Sequence, residues 1–126
     1  MIDHVSVAVA DLDRAARFYD AVLGALGMTR LAERPTTIGY GKRYPELWLN
    51  LRAGMAPIAD DTGAHLALRT ASEDAVRAFH AAALAQGGRC DGAPGPRQAA
   101  MTTYFGAFVR DPDGNKLEAV TFPASA

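Results

Sequence analysis

The chain has 126 residues, the size of one ordinary domain. Hydrophobic residues make up 49% and charged residues 21%, a globular balance that argues against disorder. Thirteen basic residues against fourteen acidic ones leave a net charge of −1, which gives no electrostatic footprint for nucleic acid or an anionic membrane.

The N-terminal Met1-Ile2-Asp3-His4-Val5 has no basic n-region and no long apolar core, and apolar runs elsewhere are too short to span a bilayer. With a single cysteine, Cys90, a disulfide framework is excluded and a reducing, cytoplasmic setting is expected. Ile2 to Val9 alternates as a strand, with Val5, Val7 and Val9 on one face and His4, Ser6 and Ala8 on the other. Asp11 is placed to cap a helix whose apolar stripe is Ala15, Phe18, Tyr19, Val22, Leu23 and Leu26, closed by Gly27. Strand-like segments follow at Met28 to Ala32, Thr36 to Lys42 and Glu46 to Leu51, and Met55 to Gly63 reads as a linker.

Beyond the linker the pattern returns. Shifted by 61 positions, residues 4 to 27 match residues 65 to 88 without a gap, and seven positions are identical, among them His4/His65, Asp13/Asp74, Phe18/Phe79 and Gly27/Gly88. The second copy has a strand at His65-Leu66-Ala67-Leu68, a helix capped by Ser72 with Val76, Phe79 and Ala83 on its apolar stripe, and strands at Arg89 to Asp91, Met101 to Arg110 and Lys116 to Phe122. Pro94, Gly95 and Pro96 read as an exposed loop, Cys90 as a small buried or half-buried side chain, and Asp111-Pro112-Asp113-Gly114-Asn115 as a tight hairpin connection. The order β-α-β-β-β therefore occurs twice, in modules at 1–57 and 62–122 of a single domain, 1–126. The expected class is α+β, with the two βαβββ modules forming a cup-shaped mixed sheet and the helices outside.

Period-two alternation decides which side chains face the cup. His4 and His65 point away from the apolar faces of their strands, Glu118 away from Leu117 and Ala119, and Glu46, Trp48 and Asn50 away from Leu47, Leu49 and Leu51. A lone strand histidine is ordinarily structural, and Glu118 alone reads as a solvated carboxylate. Two equivalent imidazoles with a carboxylate on one face instead suit a divalent metal with open coordination positions. Tyr104, before the final hairpin, is the candidate hydroxyl near a substrate, while Arg43 and Tyr44 stand in the loop ahead of the fourth strand.

These residues carry a resemblance. Asp3-His4-Val5-Ser6-Val7, Arg17-Phe18-Tyr19 running to Leu23-Gly24, Gly63-Ala64-His65-Leu66-Ala67 and the closing Phe108-Val109-Arg110-Asp111-Pro112-Asp113-Gly114-Asn115-Lys116-Leu117-Glu118 resemble the vicinal oxygen chelate superfamily. That group holds the glyoxalases, bleomycin-resistance proteins and extradiol dioxygenases. The resemblance implies metal ligands at His4, His65 and Glu118, a divalent ion (Fe, Mn, Zn or Ni), a small-molecule substrate and a homodimer. Glu118, with Tyr104 from its place before the final hairpin, is the expected catalytic pair. Aligning the two modules sets Trp48 where the second carboxylate of glyoxalase I-like members falls, with Glu46 two residues earlier as the alternative fourth ligand. A His-His-Glu set is what extradiol dioxygenases and fosfomycin-modifying thiol transferases use. The implied function is lyase, isomerase, dioxygenase or thiol-transferase chemistry on metal-chelated substrate oxygens. The alternative is a metal-free ligand-binding protein of the bleomycin-resistance type.

Overall fold

Both copies of the repeat fold into the same succession of elements. A computed structural model describes residues 1–123, with β1 (Val5–Val9), α1 (Leu12–Gly24), β2 (Thr29–Arg34), β3 (Thr37–Gly41) and β4 (Leu47–Leu51) in the first half. The second half contains β5 (Leu66–Arg69), α2 (Glu73–Ala85), β6 (Arg89–Gln98), β7 (Thr103–Arg110) and β8 (Lys116–Thr121). Each half is a four-stranded mixed sheet, ordered β1-β4-β3-β2 and β5-β8-β7-β6. The first and last strands of each module pair in parallel, and the other neighbours are antiparallel. The class is α+β, as the repeat implied.

The helices start where their capping side chains dictate. Asp11 accepts the Arg14 amide at 3.0 Å and Ser72 accepts the Ala75 amide at 3.1 Å, satisfying donors that a first turn leaves free. α1 buries Ala15, Ala16, Phe18, Tyr19, Val22 and Leu23, and the shorter side chains of α2 bury Val76, Phe79 and Ala83. These join Val9, Leu47, Leu49, Val109, Leu117 and Ala119 in one core that both modules share. Each fully buried Val, Leu or Phe there contributes about 1.5–3 kcal/mol. Among the described residues no helix is long and apolar enough to cross a membrane.

Two details depart from the sequence reading. β6 runs through Pro94, Gly95 and Pro96, which the sequence marks as a loop, and its ladder to β7 shifts register twice, between Cys90 and Gly92 and between Gly92 and Gly95. β6 is an edge strand, so the missing proline N–H groups leave no partner unsatisfied on its outer side. Cys90 is exposed and not buried, because it lies on that same irregular edge.

The β7–β8 connection does more than turn the chain. The Asp111 carboxylate accepts the Asp113 and Asn115 amides at 2.9 and 2.8 Å, the Asn115 side-chain amide at 2.8 Å, and the Tyr19 hydroxyl of α1 at 2.7 Å. Asn115 also donates to the Ala8 carbonyl at 2.9 Å, and Asp113 accepts the Ala10 amide and the Arg14 guanidinium. A loop of the second module is thereby fastened to the β1–α1 corner of the first. Gly114 closes it with φ of +97°, and a Cβ there would stand 2.8 Å from the Ile58 carbonyl oxygen.

Candidate functional site

Register places the polar residues of the second module on the sheet face opposite α2. Leu66 and Leu68 of β5 and Leu117 and Ala119 of β8 turn toward the core, so His65, Ala67 and Glu118 turn the other way. Phe108 of β7 stands directly across from Glu118, and Tyr104 shares that parity. Glu118 is buried all the same, at 4% exposure, because these neighbours close over it.

The buried carboxylate has two side-chain partners. Tyr104 donates its hydroxyl to Glu118 Oε2 at 2.6 Å, and His65 Nε2 lies 3.4 Å from Oε1. Burial, reinforced by the bond to Glu118, pushes the Tyr104 hydroxyl up to about 12. Tyr104 therefore stays a neutral donor near neutrality and keeps the carboxylate as its acceptor. The His65 ring meets the Phe108 ring edge-on, with centroids 5.8 Å apart.

His4 stands elsewhere. The sequence puts it inside the first strand, but β1 begins at Val5, and His4 is exposed with Nδ1 2.8 Å from the Asp3 carboxylate. It shares the lining of a cavity of about 340 Å³ with Glu46 and His65. Glu46 lies beside His4 because its carbonyl accepts the Val5 amide at 2.9 Å. Among the described residues, no three His, Cys, Asp or Glu side chains are grouped closely enough to hold a metal ion. A single chain thus brings His65, Glu118 and Tyr104 together and leaves His4 outside that cluster. The Tyr104–Glu118 bond is a contact that sequence reasoning missed; the shared parity of the two residues was its only signal.

The glyoxalase/bleomycin resistance protein/dioxygenase superfamily model matches residues 1–119. The chain belongs to that superfamily. Its relatives include the lactoylglutathione lyase of Haemophilus influenzae, 33% identical over 91% of this chain and 87% of that protein. The probable lactoylglutathione lyase of Synechocystis is 29% identical over 93% of this chain and 92% of its own length. A glyoxalase/bleomycin resistance protein from Albidiferax ferrireducens superposes with a TM-score of 0.82 at 35% identity, covering 95% of this chain and 98% of that one.

Within the superfamily fold, the two modules can be compared position by position. Trp48 faces Ser6 across the β1–β4 ladder as Glu118 faces Ala67 across β5–β8. The first module therefore has an indole where the second has a carboxylate, and the Arg34 guanidinium lies 5.6 Å from that ring. The donor types of the second module suit a divalent ion. Two ligands each about 2.0–2.2 Å from one ion stand about 3–3.5 Å apart, which the His65–Glu118 separation matches.

Proposed function

We propose that this chain is a divalent-metal-dependent enzyme acting on a small molecule, with His4, His65 and Glu118 as the protein ligands. The observation that carries the reading is the His65–Glu118 pair, a buried carboxylate 3.4 Å from an imidazole on the sheet face that no helix covers. A bound divalent ion would act as a Lewis acid toward adjacent substrate oxygens and favour developing negative charge there.

The chain's own groups do the rest. Tyr104 holds Glu118 Oε2, so Oε1 is left to face the ligand position, and the fixed carboxylate is oriented before anything binds. His4 reaches the pair from the first module of a second copy, and the working unit is a homodimer. That assignment rests on the described residues of one chain, among which no three His, Cys, Asp or Glu side chains are grouped closely enough to hold an ion. The lactoylglutathione lyase of Haemophilus influenzae among the relatives favours the lyase or isomerase branch of the chemistry. With Trp48 in the first module's carboxylate position, proton transfer falls to Glu118 or to Glu46, which stands beside His4 and would come with it from the second copy.

The test is the metal content of protein purified without a histidine tag, alongside His4→Ala, His65→Ala and Glu118→Gln. Stoichiometric metal that each substitution removes is the expected result, together with formation of the lactoylglutathione thioester from its hemithioacetal precursor. Protein that carries no metal and binds ligands equally well in all four forms would instead be a binder of the bleomycin-resistance kind.

A further inference from the structure

The open face of the second sheet holds a guanidinium that the candidate centre does not use. Arg97 sits on β6 directly opposite Tyr104. Its Nη2 donates to the Ala93 carbonyl at 2.6 Å and its Nη1 to the Pro96 carbonyl at 3.2 Å. A Cβ on Gly92 would stand 3.3 Å from Nη2, and one on Gly95 the same distance from Nη1. The two glycines of irregular β6 therefore leave room for the guanidinium, which also lies 5.9 Å from the centre of the Phe108 ring.

The partners that fix Arg97 are neutral. Among the described residues no carboxylate lies within ion-pair distance of it. Two carbonyls occupy two of its five N–H donors and leave its charge uncompensated. Lys116, the other cation on Phe108, is by contrast tied to Asp91 at 3.1 Å. Phe108 links Arg97 to the candidate centre, because it faces Glu118 across the ladder and its ring abuts that of His65. Guanidinium and imidazole thus lie 5.9 and 5.8 Å from the centre of one aromatic ring.

We propose that Arg97 binds a carboxylate of the substrate, so that the site selects small molecules with adjacent oxygens at one end and a carboxylate at the other. The proposal rests on His65 and Glu118 being the metal-holding pair. A planar fork of N–H donors, immobilised beforehand on backbone carbonyls, matches a carboxylate in two parallel hydrogen bonds. Holding the side chain in place before binding also removes part of the entropic cost of recognition.

The probes are 2-oxoglutarate and 2-oxopentanoate, which share the 2-oxo acid end and differ in the distal carboxylate. Titration calorimetry on the full chain should show 2-oxoglutarate binding at least about tenfold more tightly. Arg97→Met, which keeps a long apolar side chain on Phe108, should abolish that preference and leave 2-oxopentanoate binding unchanged. Arg97→Lys, which keeps the charge but not the fork, should retain only part of it, and melting curves verify that both variants fold. Equal binding of the two acids, no binding of either, or a preference that survives Arg97→Met overturns the proposal. Metal content of the same samples reads the centre separately. Metal-free protein would sink the metal reading and the proposal that rests on it, whereas metal-loaded protein that does not prefer 2-oxoglutarate would sink the role of Arg97 alone.

Discussion

Trp48 and Glu118 occupy the same station in the two halves of the chain, one set against Ser6 and the other against Ala67 across parallel ladders. The repeat thus keeps its backbone and breaks its chemistry at this point. One half presents an indole beside Arg34, and the other a buried carboxylate held by a tyrosine.

Loss of the Tyr104 hydroxyl should be felt both in stability and at the metal centre. Tyr104→Phe leaves Glu118 Oε2 without its donor, which costs about 1–3 kcal/mol in urea unfolding. Because the same bond orients a proposed ligand, divalent-ion affinity should fall by about 10- to 100-fold in a competition titration. Unchanged affinity would remove the orienting role and leave only the structural one.

The inter-module fastening should fail in graded fashion. Tyr19→Phe removes one buried hydrogen bond to Asp111 and should cost about 1–3 kcal/mol. Asp111→Ala removes the acceptor for all four donors and should cost more than Tyr19→Phe in the same denaturant series. Equal losses would mean that the Tyr19 bond alone carries the fastening and the three donors within the loop add nothing.

Gly114→Ala should destabilise by about 1–3 kcal/mol, since an alanine at φ of +97° is strained and its Cβ meets the Ile58 carbonyl. Thermal melting checks this, and no downward shift would show that the loop can relax.

Two carboxyl groups should tilt the pH dependence of stability in opposite senses. Arg30 grips Asp20 with two hydrogen bonds of 2.7 Å, and these, with a third from Tyr40, hold its carboxyl below the usual range. Its contribution is present above the unfolded value of about 3.9 and is lost as pH falls through the lower folded value. Burial pushes Asp111 up, against the four hydrogen bonds it accepts. Its contribution is full below about pH 3.9 and declines as pH rises through the folded value. Asp20→Asn should therefore flatten the loss of stability below about pH 4, read as urea midpoints across the acid range.

Local rules carried by the sequence determined much of this protein. A repeat offset of 61 positions fixed β-α-β-β-β twice, Asp11 and Ser72 set where the helices begin, and alternation fixed that His65 and Glu118 share a face. Those features depend on residues a few positions apart, so periodicity exposes them. Distances across the sheets were decided only by the tertiary structure. Alternation gives the side of a strand but not its neighbours, so it could not join Tyr104 to Glu118, keep His4, His65 and Glu118 from grouping within one chain, or hold Arg97 against Phe108. Nor could it place Pro94 and Pro96 in a strand, because proline is tolerated there only at an edge, and only the assembled sheet makes β6 an edge.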